Sequence, residues 1–210
     1  FIVVATTSDN SGDRDGLTLI LVDSDTSGVS VTRTAMVDSR NASNIEFECA
    51  EGALLGEVGK AADVLDKVLD TGRIMLSAEM LGGVQECFER TVEYLRVREQ
   101  FGVPIGSFQG LKHRASEMFC EVELSKSAVL DALSALDDDS DQIAELARLA
   151  KATLNNTYHL VSSEGVQMHG GIGMTDEYEI GFFIKRSRVC EHTLGNSAFH
   201  RNRYGEIQGF

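Results

Sequence analysis

The feature that most constrains the fold is a proline-free run at residues 61–100, in which apolar side chains recur at three- and four-residue spacing. That spacing matches the period of an α-helix. The run is longer than the roughly 8–20 residues that most globular helices span. It therefore predicts either one long helix of a bundle or two helices that meet near Gly72 or near the pair Gly82-Gly83.

Three further helices are predicted after this run. Ser107 is the predicted N-cap of the first, and Gly195 is the predicted stop of the last. The connections are FGVPIGS, which contains the only proline, the acidic run DDDSD and the glycine turn HGGIG. The predicted helices cover residues 108–136, 143–168 and 177–194. Residues 58–210 are therefore predicted to form an antiparallel four-helix bundle.

The first part of the chain has a different pattern, in which short β-rich runs alternate with turn-forming segments. Val29, Val31 and Arg33 alternate with polar residues, which is typical of a strand with one buried face. The chain begins on the apolar run FIVVATT without a methionine, which is typical of a strand cut from a larger domain. The predicted strands cover residues 1–7, 17–23, 29–34 and 44–48, with turns at SDNSGDRDG and SDTSG. The predicted fold class is thus an α+β fragment, in which residues 1–57 form part of a β-domain.

Composition excludes several classes of function. The formal net charge of −14 argues against nucleic acid and against an anionic membrane surface as partners. The four cysteines are far apart and form no CxxC pair, which favours neither a zinc site nor a disulfide framework and points to a reducing cytoplasm. The histidines show no metal-ligand spacing, and no apolar run reaches the roughly 20 residues that span a bilayer. No metal site and no membrane segment are therefore expected.

The segment VQMHGGIGM, at residues 166–174, is the strongest candidate for a binding loop. It follows a predicted helix instead of a strand, so it is not a dinucleotide fingerprint of the GxGxxG type. One interpretation is a plain helix–helix turn, in which glycine supplies a positive φ. The other is a cofactor contact, because Gly170 and Gly171 leave bare backbone N–H groups and a helix beginning near Thr175 would attract anions.

Three segments, GRIMLSAEMLGG, YLRVREQFGVPIGSFQGLKHRASEM and GVQMHGGIGMTDEY, occur in this order and spacing. Together they resemble the C-terminal half of an acyl-CoA dehydrogenase, and LTLILVDSDTSGVSV resembles the end of that family's middle β-domain. The resemblance covers nearly the whole chain. It implies a protein of three parts, an N-terminal helical domain, a β-barrel-like middle domain and a C-terminal four-helix bundle, of which only the bundle is complete here.

The resemblance also implies a cofactor. In the family, FAD lies between the middle and C-terminal domains, and its ADP half reaches the bundle of a neighbouring subunit. Arg98 matches the arginine that pairs with the pyrophosphate, which suits a permanently charged guanidinium with a fixed fork of donors. Without the resemblance, Arg98 would be read as a solvated charge and Phe101, which matches the aromatic beside the adenosine, as a core residue. The further cofactor-binding residues that the resemblance implies are Gln100, Gln109, Gln167, Gly170, Gly171 and Asn196.

The family reaction is the α,β-dehydrogenation of an acyl-CoA thioester, in which a glutamate removes the α-proton while a hydride leaves to the flavin. The resemblance places that glutamate in one of two positions, and here Leu194 and Gly72 occupy them. Glu79 is the remaining candidate, because it follows Gly72 by two helical turns in the apolar stretch LSAEML, which predicts a buried carboxylate. Its other interpretation is a paired structural acid. Arg73 matches an arginine near the substrate, and its other interpretation is an ion pair with Asp70 or Asp66.

The end of the chain, SRVCEHTLGNSAFHRNR, resembles the base-lacking subunit of bacterial heterotetrameric acyl-CoA dehydrogenases that act on steroid side chains. Ala198 stands where the family commonly has a glutamine near the flavin, and it offers no hydrogen bond. The resemblance implies a homo- or heterotetramer that passes electrons to an electron-transfer flavoprotein or a similar acceptor. Two alternatives stay open: a catalytically inactive assembly or regulatory subunit of the same fold, and an unrelated helical bundle that makes protein contacts.

Overall fold

The computed structural model describes residues 1–8 and 14–210. It contains seven described strands, numbered here in chain order: β1 Ile2–Thr6, β2 Leu17–Leu21, β3 Val29–Ala35, β4 Asn41–Phe47, β5 Ala53–Leu55, β6 Glu99–Gln100 and β7 Val103–Pro104. Its α-helices are α1 Ala62–Val97, α2 Gln109–Asp137, α3 Ile143–His169, α4 Ile180–His192 and α5 Ser197–Gln208. This α+β content confirms the predicted fold class. The chain divides into two compact units, Phe1–Leu69 and Asp70–Phe210, and the predicted domain boundary at residues 57 and 58 stays a prediction.

The first unit contains two antiparallel sheets. Strand β2 lies between β1 and β5, and β3 pairs with β4 as a separate hairpin. The prediction that β3 buries one face is wrong, because all of its residues after Val29 are exposed. In the described part of the chain β3 pairs only with β4, so no further layer of this unit covers it. Of the predicted turn SDNSGDRDG, residues 9–13 lie outside the described part.

Helix α1 runs unbroken through Gly72, Gly82 and Gly83, which decides between the two alternatives for the long run. Gly83 permits close packing, because a Cβ there would stand 2.5 Å from the Tyr158 hydroxyl of α3. Gly82 has open space around it. A helix of this length is therefore compatible with its glycines, since packing against neighbouring helices supplies most helical stability.

The helices form the predicted antiparallel bundle. Residues 138–142 alone connect α2 to α3, so these two helices form a hairpin. Helices α3 and α4 also run in opposite directions, because Ser162 bonds Ser187 at 3.2 Å while the earlier Lys151 bonds the later Cys190 carbonyl at 2.8 Å. Buried side chains of α1, α2, α3 and α4 make up one apolar core. None of the described helices is both long enough and apolar enough to cross a membrane.

Three local predictions are corrected. Ser107 is not an N-cap: its hydroxyl donates to the Pro104 carbonyl at 2.7 Å, and the residue before α2 is Phe108. The fourth helix begins at Ile180 and not near residue 177, because Gly170–Met174 form a 3₁₀ turn and Thr175 is extended. Helix α5 was not predicted at all.

Candidate catalytic and cofactor sites

Gly72 and Leu194, the two positions where the resemblance places the catalytic glutamate, lie next to each other in the structure. Helix α4 ends at His192, and Leu194 and Gly195 follow with φ values of 59° and 109°. These two positive φ angles turn the chain back toward the bundle. A Cβ on Gly72 would stand 3.1 Å from the Leu194 Cδ1 atom. The point of contact is therefore apolar on both sides, and neither residue supplies a carboxylate.

Arg73, the predicted substrate residue, lies beside this contact and is buried. Its Nη1 atom is 2.6 Å from the Asp70 carboxylate, and its Nε donates to the Leu194 carbonyl at 3.4 Å. Asp66 instead pairs with Arg14 at 2.7 Å. The ion-pair interpretation therefore holds for Asp70, and the substrate role of Arg73 stays a prediction.

The Asp70 carboxylate forms ion pairs with two guanidinium groups. Besides Arg73, the Nη1 atom of Arg148 lies 3.2 Å from the same Oδ1 atom. Arg148 also donates to the Ala144 carbonyl, one helical turn earlier, while its buried Nε atom has no partner among the described residues. One buried carboxylate thus pairs with Arg73 of its own helix and joins α1 to α3 through Arg148.

Lys151 is fully buried and holds the turn that carries Leu194 and Gly195. Its ammonium group donates to Asn155 Oδ1 at 2.6 Å, to the Cys190 carbonyl at 2.8 Å and to the Gly195 carbonyl at 3.1 Å. Burial lowers the pKa of Lys151 to about 8, since it penalises the charged form. The Cys190 carbonyl belongs to the last turn of α4, where the helix dipole favours a cation.

His200, the first fully buried residue after this turn, completes a cluster with Arg73, Arg148 and Lys151. Burial lowers the pKa of His200 to about 4, with smaller contributions from the charges of Lys151 and Arg73. A hydrogen-bonding interaction with the Gly195 backbone raises the pKa by less than burial lowers it, and neither ring nitrogen has another partner in the described structure. The imidazole is therefore neutral near pH 7, beside three cations and one carboxylate.

Lys151, Arg148 and His200 were not predicted as site residues from the sequence. A signal was present for Lys151: Ala147, Leu154 and Tyr158 lie on one face of a 3.6-residue period with it, and all are buried. A lysine on the apolar face of a helix indicates a buried, hydrogen-bonded ammonium. His200 has no comparable signal, because α5 itself was not predicted.

The predicted cofactor residues begin with a hairpin directly after α1. Strands β6 and β7 are joined by Phe101 and Gly102, whose φ values of 57° and 78° are typical of a two-residue hairpin turn. A bulky residue rarely adopts a positive φ. Phe101 nevertheless does so at the hairpin tip, with its side chain 91% exposed and its ring centroid 6.0 Å from that of Phe108.

Arg98 is exposed at the base of this hairpin. Its backbone carbonyl accepts from the Ile105 N–H at 2.7 Å, and its guanidinium has no ion-pair partner within residues 1–8 and 14–210. One helical turn earlier, the Tyr94 hydroxyl donates to the His169 carbonyl at 3.3 Å, with the two rings stacked at 4.2 Å. The end of α1 and the glycine turn that follows His169 are therefore neighbours.

The glycine turn has an open face. Gly170 has a φ of 65°, and no atom lies within 4 Å of a Cβ placed on Gly170 or Gly171. Behind the turn, His169 is buried against Tyr94 and Tyr178. Burial lowers the pKa of His169, and its Nδ1 atom lies 2.6 Å from the Gly165 carbonyl. The packed side fixes the turn and leaves its glycine backbone accessible.

The remaining predicted cofactor residues are exposed polar side chains on different elements. Gln100 lies in the hairpin, Gln109 is the first residue of α2, and Gln167 is in the last turn of α3. Asn196 is the N-cap of α5, and its Oδ1 atom accepts from the Phe199 N–H at 2.9 Å. The amide nitrogen of Asn196 remains a possible donor, and all four roles stay predictions.

Glu79 lies elsewhere on the molecule. Its predicted burial is wrong, because its side chain is 46% exposed and its Oε1 atom is 2.7 Å from Arg186 Nη2. The pair joins α1 to α4, as the structural interpretation of Glu79 requires. Its role as a base stays a prediction that the geometry does not favour.

Comparison with known proteins identifies the family. The family model described as "Acyl-CoA dehydrogenase, C-terminal domain" matches residues 62–208. The chain therefore belongs to the acyl-CoA dehydrogenase family. The match begins at the first residue of α1 and ends at the last residue of α5.

Individual relatives extend this similarity. The chain is 39% identical over 127 residues to acyl-CoA dehydrogenase IpdE2 of Mycobacterium tuberculosis, which covers 60% of this chain and 38% of the relative. It is 31% identical over 208 residues to the mitochondrial short/branched chain specific acyl-CoA dehydrogenase of Bos taurus, covering 96% of this chain and 48% of the relative. The chain thus spans about half or less of the curated relatives it matches.

Solved structures show the same fold. A Tcur3481-Tcur3483 steroid ACAD variant superposes with a TM-score of 0.86 at 29% identity, covering 99% of this chain and 54% of that chain. Butyryl-CoA dehydrogenase from Megasphaera elsdenii superposes with a TM-score of 0.91 at 24% identity, covering 99% and 55%. These likenesses extend over nearly the whole chain, its β-rich part included.

Proposed function

We propose that this chain is the C-terminal part of a subunit of an FAD-dependent acyl-CoA dehydrogenase that acts on an acyl-CoA thioester. The observation that carries the proposal is the contact of Tyr94 with His169, which brings the end of α1, where the Arg98–Phe101 hairpin begins, next to the open glycine turn. Family membership supports the same reaction class. The bacterial relatives support a bacterial cytoplasmic enzyme, and an electron-transfer flavoprotein or a similar carrier is the proposed acceptor.

The exposed residues of this end fit a dinucleotide cofactor. The Arg98 guanidinium is free to pair with a pyrophosphate, and Phe101 presents an aromatic face for stacking. Gly170 and Gly171 allow close approach to backbone N–H groups, and Gln109 and Gln167 offer amides. When bound, FAD would supply the hydride acceptor. In this proposal Arg98, Phe101 and the glycine turn would bind and orient the ADP half of FAD. The resemblance implies that this FAD is held mainly by a neighbouring subunit.

The catalytic base is the part of the reaction that this chain does not supply at the usual positions. Leu194 and Gly72 pack against each other, and Arg73 is held by Asp70. We therefore propose that the base comes from a partner subunit in a heterotetramer. The similarity to the Tcur3481-Tcur3483 steroid ACAD, whose name joins two chains, supports this arrangement. Use of an atypical acid within this subunit, such as Glu79, is the weaker form of the proposal.

A flavin measurement tests the cofactor assignment. The full-length protein is purified alone and after co-expression with its genomic neighbour, and its visible absorption spectrum is recorded. We expect a flavin band, and Arg98→Ala should lose most of it because the pyrophosphate loses its charge partner. Arg96→Ala is the matched control, since Arg96 is also exposed but pairs with Glu93 at 3.7 Å. Unchanged flavin content in Arg98→Ala would overturn the role of Arg98.

A second candidate is a catalytically inactive assembly or regulatory subunit of the same fold. The apolar contact between Gly72 and Leu194 favours it. Acyl-CoA turnover with an artificial electron acceptor separates the two candidates when the co-expressed complex is compared with each subunit alone. Turnover by the complex supports the enzyme, whereas a complex without flavin and without turnover supports the inactive subunit.

A further inference from the structure

A pocket of about 200 Å³ lies between α3 and α5, and none of the residues assigned to FAD lines it. Its apolar wall comes from α3, and its polar lining comes from both helices. The polar lining residues are Arg148, Thr153, Asn156, His200, Arg201 and Tyr204. Asn156 and Gly170 are 14 residues apart, which corresponds to roughly 20 Å along a helix at ~1.5 Å per residue. The pocket is therefore separate from the glycine turn.

The lining carries positive charge and no carboxylate. Arg201 is exposed at the mouth, and no ion pair of its side chain occurs in the described ranges. Arg148 has one carboxylate partner, Asp70, which it shares with Arg73. Lys151 adds a further buried cation on the same helix. Asp70 is the carboxylate that pairs with the two arginines, and Glu191, which itself pairs with Arg188, acts on Lys151. The cations therefore outnumber the carboxylates, and an excess of positive charge is costly in a region of low dielectric.

Polar groups at the pocket also lack partners. The buried Nε atom of Arg148 makes no hydrogen bond within the described structure, and the His200 ring interacts with the Gly195 backbone alone. The neighbouring cations help to hold the pKa of His200 at about 4, after the larger effect of burial. The Asn156 side chain accepts through Oδ1 from the Ser197 hydroxyl at 2.8 Å, which leaves its amide N–H₂ able to donate. The pocket thus combines uncompensated positive charge with spare donors.

We propose that this pocket binds a small anion bearing a carboxylate or phosphate group, held between the guanidinium groups of Arg148 and Arg201. Arginine matches either group through paired N–H donors. Asn156 and Thr153 donate further hydrogen bonds, and the volume limits the ligand to a small molecule or to the end group of a larger one. This site goes beyond the proposed dehydrogenation and does not depend on it.

Calorimetric titration of the purified protein tests the site, with inorganic phosphate and succinate as probes and sodium chloride at matched ionic strength as the blank. We expect saturable binding of at least one probe and none of chloride. Binding of phosphate alone assigns a phosphate ligand, binding of succinate alone assigns a carboxylate ligand, and both support the shared anion chemistry. Absence of binding by both probes overturns the proposal.

Arg201→Gln should weaken binding about tenfold or more, because a charged hydrogen bond contributes about 1.5–3 kcal/mol. Arg203→Gln is the matched control on the same helix, since Arg203 is exposed, lies outside the pocket lining and pairs with Glu206 at 2.6 Å. Equal weakening in both variants would indicate a general charge effect and overturn the site. The His200 ring signals provide a second readout, because an anion at Arg148 should raise the pKa of His200; an unchanged titration with bound probe contradicts the assigned position.

Discussion

Leu194 Cδ1 lies 3.1 Å from the position that a Cβ on Gly72 would occupy, so the Leu194 side chain packs directly against the Gly72 backbone. This contact joins the long first helix to the turn after α4. The same two positions would carry the catalytic glutamate in relatives of this family, as the resemblance implies. A small residue at one position and an apolar one at the other form a packed contact without an acid.

The first prediction concerns this contact. Gly72→Ala gains helix propensity of about 1 kcal/mol but tightens the approach of Leu194, so its net effect on the free energy of unfolding should be near zero. In the background of Leu194→Ala, the same change should recover the full gain. Gly82→Ala is the control, because it has open space and should stabilise by about 1 kcal/mol in either background. Urea unfolding of the parent protein, Gly72→Ala, Leu194→Ala and the double variant checks this. Strictly additive changes in the free energy of unfolding would refute the contact.

The second prediction concerns the shared carboxylate. Asp70→Asn leaves Arg73 and Arg148 buried without a counter-charge, so the free energy of unfolding should fall by about 3–5 kcal/mol. Asp66→Asn is the control, because its pair with Arg14 is exposed and should change the free energy of unfolding little. Chemical unfolding measures both variants. Similar small losses in the two would show that the buried cations do not rely on Asp70.

The third prediction concerns the buried lysine. Lys151→Met keeps an unbranched apolar side chain but removes the ammonium donor from the Asn155 Oδ1 atom. The Cys190 and Gly195 carbonyls each lose one donor and keep another, the Thr193 N–H at 3.2 Å and the Asn155 Nδ2 at 3.3 Å. The expected loss in the free energy of unfolding is about 1–3 kcal/mol, the cost of one buried acceptor left unsatisfied. Lys112→Met, at an exposed position of α2, is the control and should change stability little. Thermal unfolding compares them, and equal stability would mean that the turn is held by other contacts.

The fourth prediction concerns pH. His200 has a pKa of about 4 in the folded state and about 6.5 in the unfolded state. Between these two pH values the unfolded chain binds a proton at His200 and the folded chain does not. Stability should therefore fall by on the order of 3 kcal/mol as the pH drops from about 6.5 to 4, and this contribution should be absent above 6.5. The charged groups that act on the ring are Lys151, Arg73 and Arg148; Asp70 pairs with the two arginines, and Glu191 acts on Lys151.

His200→Gln should flatten this dependence, whatever its effect on absolute stability. The measurement is the free energy of unfolding at several pH values from 4 to 8. His192→Gln is the control, because His192 is exposed at the end of α4 and should leave the slope unchanged. Identical slopes in all three proteins would contradict the buried neutral histidine.

The local elements were predictable where one chemical rule decided them. The period of residues 61–100 predicted α1, and the acidic run after α2 predicted the hairpin to α3. The glycine turn was predicted in place, but the start of α4 was not, because the segment from Gly171 to Glu179 has few local signals that separate a 3₁₀ turn from a helix. Helix α5 was not predicted, because the segment from Leu194 to Asn196 was taken as a loop. Asn196 is in fact the N-cap residue of the helical run that follows it.

The helical bundle, the family and the absence of glutamate at Gly72 and Leu194 follow from the chain alone, because periodicity and residue identity are local properties. The contact between these two positions, the pairing of Asp70 with two arginines and the burial of Lys151 and His200 beside them depend on the fold. Those residues come from α1, α3, α5 and the turn after α4, and burial and electrostatic interaction depend on distance in space instead of separation along the chain.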